Sequence, residues 1–134
     1  MAASPVLDSY ALLAFLRGEP GEEKVNALLE RAGERDQSLH MTEANYAEVK
    51  YITVRKDGAT RWEEIARELR AFPIEFHPID RALADLAAVF KARHKLSLAD
   101  AFAAALAKER KCELVTGDPE FAAIEKEIKI VWLL

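Results

Sequence analysis

Cysteine is almost absent from this chain of 134 residues, and that absence removes several kinds of chemistry at once. With Cys112 alone there is no internal disulfide and no thiolate zinc cluster. Its use fits a reducing compartment, so a cytoplasmic protein is expected. Only five glycines are present, and no Gly-rich phosphate loop is found among them. No Ser-His-Asp arrangement can be read either. No apolar run reaches the roughly 18 residues of a membrane-spanning helix. The N-terminus has no basic segment leading into an apolar stretch, so neither a signal peptide nor membrane attachment is expected. Internal repeats and low-complexity segments are missing too.

What is present suits one globular domain spanning residues 1–134. Half of the residues are apolar (51%) and 31% are charged, enough for a core and a solvated surface. The net charge of −4 argues against a uniformly basic nucleic-acid face. Its distribution is uneven, however. Residues 50–95 hold ten Lys/Arg against seven Asp/Glu, and the remainder nine against sixteen. An acidic chain of this kind can still carry a basic side.

Hydrophobic patterning alternates strands with helices. Pro5–Leu7 reads as a short strand ending at Asp8, followed by a helix over Tyr10–Arg17 that Gly18–Gly21 stops. Glu22–Glu34 is a second helix. Ser38–Met41 reads as a strand, and Thr42 caps a helix to about Lys56. Trp62, Ile65, Ala66 and Leu69 stripe a further helix that Pro73 closes. Ile74–Ile79 is a strand or extended piece, Asp80 caps a helix to about Arg93, and Ser97 opens one to Arg110. Glu113–Thr116 is a strand, Asp118–Pro119 starts a short helix, and Ile128–Leu133 is the last strand. The alternation predicts an α/β fold whose mostly parallel sheet is covered on both faces.

Four acids stand out by position. Asp8 is the only charge from Met1 to Leu16, at the end of the first strand, and Asp100 is the only charge from Leu96 to Ala107. Asp118 follows a Leu-Val-Thr strand by one glycine. Glu48 lies among Ala44, Ala47, Tyr51 and Ile52, so it is expected to point with the apolar side of its helix. Each acid has an ordinary alternative: Asp8 an N-cap, Asp100 the partner of Ser97 in a capping box, Asp118 a helix start before Pro119, and Glu48 an ion pair with Lys50 or Arg55. Together they are harder to explain that way. An ionised carboxylate in an apolar setting costs several kcal/mol unless compensated, and the sequence near Asp8 and Asp100 offers no basic partner. Ligands of open α/β sheets bind beyond the carboxyl ends of the strands, where these acids belong. Converging carboxylates need a cation, and all-oxygen ligands favour Mg²⁺ or Mn²⁺ over zinc. Such ions serve phosphodiester cleavage by activating water and neutralising the phosphate.

The segments Val6–Leu16, Thr42–Val49, Leu96–Ala101 and Leu114–Phe121 resemble, in order and spacing, the four acidic motifs of PIN domains, especially VapC-type toxins of toxin–antitoxin pairs. The resemblance covers essentially the whole chain. It implies a three-layer α/β/α fold with a central sheet of about five strands. It implies Asp8, Glu48, Asp100 and Asp118 as metal ligands and catalytic residues, with Thr116 beside them. It further implies a metal-dependent endoribonuclease with an RNA substrate, a homodimer, and a neutralising VapB-like antitoxin. Two rival readings are a non-catalytic module that binds RNA or a partner, and an aspartate-based phosphatase or receiver domain. A phosphatase of that kind wants a second Asp where Tyr10 stands, and a receiver domain wants an acidic pair where Leu7–Asp8 supplies one acid.

Remaining candidates are assigned to structure. His40, His77 and His94 are scattered, with no metal-ligand spacing, and read as non-catalytic. The basic run Lys91–Lys95 fits a helix C-terminus meeting its dipole, with RNA phosphates as the other use. Trp62 reads as core, with a dimer or antitoxin contact as the other use. Glu43 and Glu120 read as first-turn acids, with a supporting place near a metal as the other.

Overall fold

The computed structural model describes residues 3–134. Five strands form one all-parallel sheet in the order β3-β2-β1-β4-β5. They are β1 (Val6–Leu7), β2 (Leu39–Thr42), β3 (Ile74–His77), β4 (Leu114–Thr116) and β5 (Ile130–Trp132). Six α-helices connect them: α1 (Ser9–Arg17), α2 (Glu22–Glu34), α3 (Glu43–Asp57), α4 (Ala59–Leu69), α5 (Arg81–Arg93) and α6 (Leu98–Arg110). A 3₁₀ helix at Pro119–Ile124 joins β4 to β5. The element order is the one expected, and the strands are a little shorter than their apolar runs.

Strand alternation divides the core in two. Leu7, Leu39, Met41 and Val115 pack on one face with α1–α4 residues such as Leu12, Val25 and Trp62. Val6 and Leu114 pack on the other with α5, α6 and Phe121. A sheet covered on both faces needs strands that are apolar on both, as Val6-Leu7 and Leu114-Val115 are.

Helix α6 crosses that second face. Ala101, Ala103, Ala104, Ala105 and Ala107 are all buried, as expected of a helix that is apolar nearly all round. Its small side chains leave little room between helix and sheet, so one added methyl group here forces a shift.

The chain reverses its order of laying strands between β1 and β4. Three strands grow outward from β1 to β3, and then α5 and α6 carry the chain back to β4 on the other side of β1. That switch point leaves a crevice beyond the carboxyl ends of β1 and β4. Among the described residues, no helix is long and apolar enough to cross a membrane.

Candidate functional site

Three helix starts converge on the crevice, and each is made by a residue singled out above. Asp8 caps α1, its Oδ1 accepting from the Ala11 N–H at 2.8 Å. Ser97 caps α6 by accepting from the Asp100 N–H at 3.1 Å, which fixes Asp100 in the first turn. Asp118 caps the 3₁₀ helix, accepting from the Glu120 N–H at 3.0 Å with Pro119 following. The capping alternatives are therefore real, and they do not compete with clustering. The caps are what aim these acids at one another.

Thr116 ties two of them together. Its hydroxyl donates to Asp8 Oδ2 at 2.5 Å and accepts from the Asp118 N–H at 3.0 Å. Gly117 between them lies against Tyr10. A Cβ there would stand 2.3 Å from Tyr10 Cε1, so a side chain at 117 displaces the ring.

Carboxylate oxygens of Asp100, Asp118 and Glu120 lie within 4.8 Å of one another. Asp8 is buried beside them (1% exposed), and Asp100 is nearly so (8%). Burial, only partly offset by the Thr116 hydroxyl and the Ala11 N–H, pushes the Asp8 carboxyl up to about 8, and the charges of Asp100 and Asp118 add to it. Burial also pushes Asp100 up to about 7, with the Asp118 charge next, the Ser97 hydroxyl opposing, and Glu48 and Glu120 contributing less. Among the described residues, no salt bridge reaches Asp8, Glu48, Asp100, Asp118 or Glu120.

Glu48 sits differently from expectation. The buried face of α3 is Asn45, Val49 and Thr53, whereas Ala47 and Tyr51 are exposed. Glu48 is half-buried at the margin of that face, close enough to Asp100 to raise its pKa. The ion-pair alternative fails: Lys50 stands over the Trp62 ring and Arg55 over the Tyr51 ring.

Two contributors were not singled out as such in the sequence. Glu120 read first as a dipole-favoured acid, with a supporting place near a metal as the other use, and its carboxylate joins Asp100 and Asp118. Asn45 was passed over altogether. Fully buried, it donates to Ser9 Oγ at 3.0 Å and to the Ala99 carbonyl at 3.3 Å, and its Oδ1 accepts from the Thr42 hydroxyl. It thus joins the starts of α1, α3 and α6. The available signal was an amide three residues after a capping threonine, inside an otherwise apolar stretch.

Trp62 and His94 have other partners. Trp62 is core, meeting Tyr46 edge-on at 5.6 Å. The His94 ring pairs with Glu127 at 2.8 Å where α5 ends. A cavity of about 660 Å³ opens at the opposite edge of the sheet, lined by Lys108, Lys111, Cys112, Glu113 and Lys129, and includes none of the acids.

The PIN domain family profile matches residues 6–127. No curated protein matches the sequence. Among solved structures, the fold is similar to a toxin–antitoxin complex from Klebsiella pneumoniae (19% identity, 98% of each chain covered, TM-score 0.74). It is similar to DNA-bound VapBC from Salmonella typhimurium (17% identity, 98% of this chain and 99% of that one, TM-score 0.76). It also resembles VapC20 of Mycobacterium tuberculosis, described as a sarcin-ricin loop cleaving toxin (15% identity, 90% and 94% covered, TM-score 0.70).

Proposed function

Because the chain belongs to the PIN domain family, we propose that it is a metal-dependent endoribonuclease that hydrolyses RNA phosphodiester bonds at the β1–β4 crevice, and that it is the toxin of a toxin–antitoxin pair. One observation carries the reading: Asp8, Asp100, Asp118 and Glu120 gather there, two of them buried, without a basic partner. Such a cluster is stable as carboxylates only opposite a cation. Its all-oxygen donor set fits Mg²⁺ or Mn²⁺.

Asp100 and Asp118 are the principal ligands, with Asp8 behind them held rigid by Thr116 and Ala11. Glu120 completes the oxygen set, and Glu48 holds a second ion or orients the attacking water. A bound ion would supply a water of lowered pKa and positive charge opposite the phosphate oxygens. The residues contribute position and protonation. Asp8 and Asp100 retain protons near neutral pH while no cation is present, and they lose them when one binds. Thr116 is a positioning residue, acting through Asp8 and through the Asp118 backbone.

RNA is the substrate. A VapB-like antitoxin and a second copy of the chain are the partners. The relatives named as toxin–antitoxin and VapBC complexes support this, since the chain spans nearly all of their length. The test is cleavage of a mixed pool of structured RNA with Mn²⁺, Mg²⁺ or EDTA, beside Asp100→Asn. Metal-dependent cutting that the substitution removes supports the proposal. Folded, antitoxin-free protein that binds RNA and never cuts it would favour the binding-module reading.

A further inference from the structure

A second group of ligand-type side chains lies on β2 and β3, made from residues the acidic site does not use. The parallel register sets His40 opposite Glu75 and Thr42 opposite His77. Leu39, Met41, Ile74 and Phe76 turn into the α1–α4 core, so His40, Glu75 and His77 share the other face of the sheet. There His40 Nδ1 lies 2.9 Å from His77 Nε2, and His77 Nε2 lies 3.4 Å from Glu75 Oε2. The three ligand atoms fall within 4.8 Å of one another. His40 is buried and the His77 side chain is 15% exposed, whereas Glu75 is largely open to solvent.

From this geometry we infer that His40, Glu75 and His77 form a second metal site, taking a borderline transition ion such as Zn²⁺, with a fourth position left to water. The donor set is the reason. Two imidazole nitrogens and one carboxylate oxygen suit Zn²⁺, Co²⁺ or Ni²⁺, and suit Mg²⁺ poorly. The fit needs little movement. Two nitrogens bound tetrahedrally at ~2.0–2.1 Å stand about 3.3 Å apart, a few tenths of an ångström beyond the spacing observed.

Charge around the group is mixed. Arg110, at the end of α6, opposes a cation, and the Glu75 carboxylate offsets it. Burial, with Arg110 and His77 next, lowers the His40 imidazole to about 4, so it offers a free lone pair at neutral pH. Because β3 is an edge strand joined to the sheet only through β2, an ion bridging His40 to Glu75 and His77 clips that edge in place.

The test is Zn²⁺ titration of chelator-stripped full-length protein by calorimetry, with excess Mg²⁺ occupying the acidic site, followed by Co²⁺ titration read by visible absorption. One Zn²⁺ equivalent is expected. It should weaken at least tenfold in His77→Gln and about tenfold in the exposed Glu75→Gln, and stay unchanged in Asp118→Asn. Zn²⁺ at about a hundredfold excess over its dissociation constant should raise the melting temperature by about 10 °C, and not in His77→Gln. Melting of both variants in chelator establishes that they fold. The inference is overturned if Zn²⁺ does not bind once Mg²⁺ is saturating, or if binding and the thermal shift persist in both Glu75→Gln and His77→Gln; the two rings then form only a hydrogen bond.

Discussion

Asp8 and Ser9 are neighbours in the chain, both buried, and they meet their polar needs in opposite ways. Ser9 belongs to a neutral network with Asn45, Thr42 and the Ala99 carbonyl, in which donors find acceptors. Asp8 has its hydrogen bonds but not its charge: Thr116 and Ala11 donate to it, while Asp100 and Asp118 repel it. A buried neutral network that is fully paired rigidifies a fold. A buried set of like charges does the reverse unless an ion joins it. The difference separates scaffold from site, one residue apart: the Asn45 network locks the starts of α1, α3 and α6, and the first and last of these carry Asp8 and Asp100.

Breaking the charged side should have the largest effect. Asp8→Asn or Asp100→Asn is expected to lower RNA cleavage by roughly a thousandfold, as loss of a preorganised electrostatic group does, while far-ultraviolet circular dichroism stays that of the folded chain.

A pH series sharpens the same side. The Asp8 carboxyl lies at about 8 in the folded chain, against 3.8 ordinarily. The folded protein therefore binds a proton across that interval that the unfolded chain has lost, and stability falls as pH rises from about 4 to about 8. Urea midpoints in EDTA should decline over this window. Asp8→Asn should remove the larger share of the decline, with Asp100, raised to about 7, supplying the rest, and leave the variant roughly 5 kcal/mol more stable than the parent at pH 8 and no more stable at pH 4.

On the neutral side, Asn45→Ala leaves Ser9 and the Ala99 carbonyl without their partner. It should cost about 2 kcal/mol in chemical denaturation, at any pH and with or without metal. Pure destabilisation would lower cleavage only near the melting temperature. Misalignment of α3 and α6 would lower it at every temperature, and that second outcome is expected.

Gly117→Ala should have the smallest effect. Its Cβ pushes the Tyr10 ring, which is partly exposed and able to swing aside, so the cost is about 1 kcal/mol in thermal melting.

The sequence was most legible where local chemistry decided the structure. Capping residues and apolar runs located the helices and strands, because Asp8, Thr42, Asp80, Ser97 and Asp118 each accept the hydrogen bond that starts a helix. Isolated charges in apolar stretches marked Asp8 and Asp100, since such a charge must be either solvated or used. The stripe on α3 was misread. Ala44, Ala47, Tyr51 and Ile52 look like a core face by hydropathy, but the face that packs carries Asn45 and Thr53, whose polar atoms a hydropathy pattern counts as exposed. The place of Glu120 among the acids, given only as its second reading, and the His40–His77 contact were hard to see for another reason. Both depend on which residues tertiary packing sets together: the turn after β4 against α6, and the register of two strands far apart in sequence. Spacing along the chain has no access to either.

If the β1–β4 acids hold protons until a divalent cation replaces them, binding of the ion releases those protons. Calorimetric titration with Mn²⁺ at pH 7, in two buffers of different ionisation enthalpy, tests it directly. Binding should release about one proton per Mn²⁺ in the parent protein and be strongly weakened in Asp100→Asn. Binding with no proton release, equally strong in Asp100→Asn, would contradict it.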